Sequence, residues 1–197
     1  YQFLPQPLPL LMPKIAFFIN PTIRHFKKIE IDIQHHFLNQ DYQFFISEYS
    51  GHFLTLPKRA VEEGFTHFIA VGGDGTLNEI VNGLIEAFRT ENGYDWERIS
   101  QIKIGILPSG SGNDFIKNLG YTTIDELQSL IAKDSSALVD VGFAEFLNRE
   151  KQKAERFFIN VSDVGIGGEV VISKERLPLV FPGDVNYFIA IISTFLM

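Results

Sequence analysis

Four short runs, Lys14 to Ile19, Tyr42 to Ile46, Thr66 to Val71 and Lys103 to Leu107, are apolar almost throughout and rich in β-branched and aromatic residues. A strand with one wet face alternates polar with apolar side chains. These runs do not, so both of their faces must be covered. Between them lie segments with helical spacing. Thr22 to Leu38 carries a stripe of Ile23, Phe26, Ile29, Ile33 and Phe37, and a second helix is expected from about Gly51 to Glu63, with Pro57 marking a late start or a kink. Thr76 to Arg89 puts Leu77, Ile80, Val81, Leu84, Ile85 and Phe88 on one side. Strand and helix in strict alternation predict an α/β fold with a mainly parallel sheet between two helical layers.

In an open parallel sheet, ligands lie beyond the carboxyl ends of the strands. The turns to inspect are Asn20-Pro21 after the first strand, Gly72-Gly73-Asp74-Gly75-Thr76 after the third, and Pro108-Ser109-Gly110-Ser111-Gly112-Asn113-Asp114 after the fourth. The two glycine-rich turns each feed a helix. Free amides at a helix start, the positive end of its dipole and residues without Cβ together favour a phosphate, and a nucleotide is the natural guest. A structural reading competes with this one: Thr76-Leu77-Asn78-Glu79 has the form of a capping box, and Ser111-Gly112-Asn113-Asp114 resembles one. Asp74 beside a phosphate is repulsive unless a cation lies between them or the carboxylate meets ribose or an attacking hydroxyl, which implies magnesium. The chain has neither a G-x-x-x-x-G-K-S/T phosphate loop nor a G-x-G-x-x-G dinucleotide fingerprint. Ser47, Ser50 and His52, after the second strand, are candidates for the same rim, although a lone exposed histidine is ordinarily only solvated.

Beyond Lys133 the rhythm changes. Ser136 to Phe146 and Arg156 to Ser162 read as longer strands on either side of a charged loop, an antiparallel hairpin that opens a second unit. The expected division is 1–12 as a leader, 13–134 as the nucleotide-binding domain and 135–197 as the start of a β-rich substrate domain that the chain leaves incomplete. The net charge of -7 and the absence of a Lys/Arg field argue against nucleic acid as partner. With no cysteine in its 197 residues, the chain has no disulfide and no thiolate metal site, which suits a cytoplasmic protein. Zinc is not expected from the five histidines, which lack metal-ligand spacing; His35 and His36, adjacent on a helix, are expected to diverge. The apolar segment Tyr187 to Met197 is too short to span a bilayer and reads as a core helix whose exposure would favour a homodimer.

Gly72-Gly73-Asp74-Gly75-Thr76-Leu77-Asn78-Glu79 together with Pro108-Ser109-Gly110-Ser111-Gly112-Asn113-Asp114-Phe115 resembles the catalytic domain of the diacylglycerol kinase and sphingosine kinase superfamily. Asn20-Pro21, Ser50-Gly51-His52, Asp140-Val141-Gly142 and Phe158-Ile159-Asn160-Val161 fall in that family's order. The resemblance implies an NAD-kinase-like α/β domain followed by a β-sandwich domain, with ATP in the cleft between them and transfer of the γ-phosphoryl group to a lipid hydroxyl. It implies Asn20, Gly73, Asp74, Gly75 and Thr76 at the nucleotide, flanked by Ser109, Gly110, Ser111, Asn113 and Asp114, with Asp74 as catalytic residue and magnesium contact; Gly72, Glu79, Ser47 and Ser50 are further candidates for the same nucleotide site. It also implies a lipid substrate at a membrane surface, met by a cytoplasmic protein attached peripherally. The family's acidic general base would lie beyond residue 197. Two departures stand out: Thr22-Ile23-Arg24-His25 follows Asn20-Pro21 where the family has serine and glycine, and Ser111 replaces the commoner threonine. The alternatives are a soluble-substrate kinase of the NAD kinase type and a non-enzymatic nucleotide-binding regulator.

Overall fold

β1 (Lys14–Ile19) is the strand around which the rest is laid. From Ile15 to Ile19 it is wholly inaccessible to solvent, as a strand covered on both faces must be. The structure, a computed structural model, describes residues 13–109, 113–148, 150–160, 168–170, 172–173 and 188–193. In chain order, β1 is followed by α1 (Phe26–His36), β2 (Asp41–Ile46), a short 3-10 turn (His52–Leu54), α2 (Leu56–Glu62), β3 (His67–Gly72) and α3 (Asp74–Ala87). Then come β4 (Arg89–Thr90), β5 (Gly93–Tyr94), α4 (Trp96–Ile99), β6 (Lys103–Pro108), a 3-10 turn (Ile116–Asn118), α5 (Ile124–Ala132), β7 (Gly142–Leu147) and β8 (Lys153–Phe158).

The central sheet is the parallel one that the apolar runs predict, in the order β2-β1-β3-β6. Successive side chains of β1 serve opposite helical layers. Phe17 meets Phe37 at the end of α1, ring centroids 4.9 Å apart, whereas Phe18 meets Phe53 of the 3-10 turn at 6.3 Å on the other side. Gly83 allows α3 to lie against that turn, since a Cβ there would stand 2.6 Å from the Phe53 carbonyl oxygen. The antiparallel pair β7–β8 is held to α3 by Asn82, whose Nδ2 donates to the Phe157 carbonyl at 2.9 Å and whose Oδ1 accepts the Phe157 amide at 2.9 Å.

The differences from the sequence reading are local and have causes. α1 begins at Phe26 rather than Thr22, because Asn20 Oδ1 takes the amide and hydroxyl of Thr22 into a turn, and His25 enters the helix from a left-handed conformation, φ 63°. α2 begins at Leu56 with Pro57 in its first turn, where a missing N–H costs nothing. α3 begins at Asp74 with Gly73 as its cap, so Thr76 lies inside the first turn and Thr76–Glu79 is not a capping box. Residues 136–141 form no strand, and β8 starts at Lys153, within the segment expected to be a charged loop. The rings of His35 and His36 do not diverge but meet edge to face at 5.5 Å. The small hairpin β4–β5 and helices α4 and α5 were not anticipated, although α5 opens on a complete capping box, Thr123 with Glu126.

The chain divides into two compact units, 1–159 and 160–197. The hairpin β7–β8 belongs to the first. In the second, residues 168–170, 172–173 and 188–193 are helical. Among the described residues no helix is long and apolar enough to cross a membrane.

Candidate functional site

β1 lies between β2 and β3, so the chain leaves β1 toward one edge of the sheet and leaves β3 toward the other. Diverging connections open a crevice at the carboxyl ends of the two neighbours. That crevice is a cleft of about 590 Å³ lined by Asn20 to Thr22 after β1, Ser47 to Gly51 and Phe53 after β2, and Gly73 to Thr76 with Glu79 after β3. Main-chain bonds carry the sheet into the turns: the Ser47 amide donates to the Ile19 carbonyl at 3.0 Å, and the Ser109 amide to the Gly72 carbonyl at 3.0 Å.

The first amide of α3 to bond back along the helix is that of Leu77, to Gly73 O at 3.1 Å. The N–H groups of Asp74, Gly75 and Thr76 therefore have no intrahelical acceptor. Gly72 is buried beneath the Thr76 side chain, and a Cβ at Gly72 would fall 2.5 Å from Thr76 Oγ1. Packing demands that glycine. Gly75 is different: a Cβ there would meet nothing within 4 Å, so the position is open to the cleft rather than filled by the protein. A main chain left bare at a helix start is the arrangement by which an anion is admitted to backbone amides.

Asp74 reaches sideways. Its Oδ2 accepts the Asp114 amide at 2.9 Å and its Oδ1 the Phe115 amide at 3.1 Å, so one carboxylate ties the turn after β3 to the end of the turn after β6. The Asp114 side chain is not in that exchange and pairs with Lys117 Nζ at 2.5 Å. This hydrogen bond, then the Asp114 charge, holds the Lys117 ammonium above the ordinary lysine range.

The structure thus brings Asn20, Ser47, Ser50, Gly73, Asp74, Gly75, Thr76 and Glu79 to one cleft. Gly72 supports the wall from behind, while Ser109, Asn113 and Asp114 do not line it, and Gly110 and Ser111 lie outside the described residues. His52 does not line it either: its Nδ1 accepts the Glu48 amide at 3.1 Å and its ring stacks on Tyr49. Sequence reasoning missed Thr22, Glu48, Tyr49 and Phe53. Thr22 was legible as the partner of an Asn-Pro turn; Glu48 and Tyr49 sit in an aperiodic loop, and Phe53 in the 3-10 turn that follows it.

The sequence profile of the diacylglycerol kinase catalytic domain matches residues 14–144. This chain belongs to that family. It is 33% identical over 133 residues to the diacylglycerol kinase of Staphylococcus carnosus (strain TM300), a match covering 67% of this chain and 37% of the relative. It is 26% identical over 170 residues to YtlR of Bacillus subtilis (strain 168), named as a candidate lipid kinase, over 82% of this chain and 50% of the relative. The chain therefore spans half or less of the length of these family members. A crystal structure of a diacylglycerol kinase from Bacillus anthracis str. Sterne aligns with a TM-score of 0.47 at 22% identity, covering 68% of this chain and 45% of that one.

Proposed function

We propose that this chain carries the ATP-binding part of a lipid kinase, which transfers the γ-phosphoryl group of ATP to the hydroxyl of diacylglycerol or a related lipid alcohol. The observation that carries the reading is the cleft at the β1/β3 switch point, which the start of α3 lines together with Asn20, Ser47 and Ser50. Membership of the diacylglycerol kinase family supports the same donor and the same class of acceptor.

In this reading Asp74, Gly75 and Thr76 present main-chain N–H groups to the phosphates, and the open approach at Gly75 is the space a phosphate would occupy. Phosphoryl transfer asks mainly for positioning and neutralisation of charge, and magnesium supplies the latter when bound. Magnesium is typically held by one or two carboxylates together with the substrate's phosphates. Asp74 is the residue that would take that place, since each carboxylate oxygen keeps a lone pair after accepting its amide. Among the described residues no group of three or more His, Cys, Asp or Glu forms a cage of its own. The lipid would be met at a membrane surface by a cytoplasmic, peripherally attached protein.

The test is transfer of label from γ-labelled ATP, by the protein at its natural length, to diacylglycerol in mixed micelles. Labelled lipid supports the proposal. Labelled NAD with unlabelled lipid would point instead to a soluble-substrate kinase, and ATP binding without transfer to a nucleotide-dependent regulator.

A further inference from the structure

Tyr49 is a large aromatic side chain on the wall of the cleft, yet it is 60% exposed. Its ring lies on that of His52, with centroids 4.3 Å apart and planes 17° from parallel. His52 is itself fixed, because its Nδ1 accepts the Glu48 amide at 3.1 Å, within the same loop. Among the described residues no second ring and no cation covers the other face of Tyr49. An exposed, oriented aromatic face backed by another ring has little freedom left to lose on stacking. The start of α3, whose free amides suit phosphate, lines the same cleft, so one cavity holds both an anion-receptive helix start and a flat aromatic face.

We infer that Tyr49 is the platform for the nucleobase, and that the stack on His52 holds it in place. This rests on the nucleotide reading above and adds the end of the cleft that takes the base. The platform makes no hydrogen bond with its guest in this scheme. It therefore favours purines over pyrimidines by stacking area and separates adenine from guanine weakly.

The experiment measures binding of ATP, CTP and inorganic tripolyphosphate by calorimetry to the wild-type chain, Tyr49→Ala and Tyr49→Phe, together with quenching of 2-aminopurine riboside triphosphate. Tyr49→Ala should weaken ATP about ten-fold and abolish most of the quenching, while leaving tripolyphosphate affinity unchanged. Tyr49→Phe should restore both, and the wild type should bind ATP more tightly than CTP. If ATP binds and Tyr49→Ala leaves its affinity within about two-fold, the platform is refuted while the nucleotide site stands. An equal loss of ATP and tripolyphosphate would make Tyr49 a support of the loop and refute the platform. A wild type that binds neither ligand overturns the nucleotide reading, and the platform with it.

Discussion

The carboxylate of Asp74 receives the main-chain amides of Asp114 and Phe115, residues 40 and 41 positions further along the chain. An acidic residue in the turn after β3 is thereby the strut that fixes the end of the turn after β6.

Charge-assisted bonds of this kind exceed neutral ones, and removing the acceptor leaves two amides to find other partners. Asp74→Ala is expected to lower stability by about 2 kcal/mol in urea unfolding. Asp74→Asn keeps one acceptor but turns an NH2 group toward the other amide, so it should recover less than half of the loss. In 15N spectra, the largest shift changes outside residues 73–77 should fall on Asp114 and Phe115. Unchanged Asp114 and Phe115 resonances in Asp74→Ala would count against the strut.

Gly83 lies mid-helix, where glycine is ordinarily a liability, and Ala would be the better helix former by about 1 kcal/mol. The close approach of the Phe53 and Leu54 carbonyls, 2.6 and 2.8 Å from an added Cβ, reverses that preference because both contacts are backbone. Gly83→Ala should therefore destabilise by about 1–3 kcal/mol and displace Phe53, which lines the cleft. An increase in the unfolding midpoint would show that the helix and the 3-10 turn are less closely engaged.

At the other end of the sheet, His67 is almost inaccessible to solvent, and its imidazole is held below the ordinary value of 6.5 by burial first and then by Lys103, with Asp134 opposing. Unfolded chain therefore binds more protons than folded chain between pH 6.5 and the folded pKa. Stability contributed here is intact above the unfolded pKa and is lost as pH falls toward and through the folded one. His67→Gln should show a smaller drop in urea midpoint than wild type between pH 7.5 and pH 5.5, about neutral to mildly acid conditions. Equal drops would assign the acid sensitivity to other groups.

The sheet was legible because burial on both faces removes polar residues from a strand, and nothing later in folding can restore them. Lys14–Ile19 is the clearest case: its expected and observed limits coincide. The Gly72–Thr76 turn was legible because its residues follow a strand directly and precede a helical stripe. Helix limits were less so. At Thr22 a side-chain bond from Asn20 outcompeted the apolar spacing that Ile23 seemed to begin, and at Asp74 the helix started on residues that sequence preference alone assigns to a turn. The strut from Asp74 to Asp114, the Asn82 clasp on Phe157 and the stack of Tyr49 on His52 depend on which turns the sheet brings together. No local pattern encodes them.

In the proposed site, the start of α3 and the turn after β1 receive the phosphates of ATP. Titrating magnesium ATP into the 15N-labelled chain tests it directly. Saturable shifts are expected at the amides of Asn20, Gly73, Asp74, Gly75 and Thr76, with the hairpin residues 142–147 and 153–158 unmoved. Saturable binding that leaves residues 73–76 unshifted, or no binding at all, would contradict it.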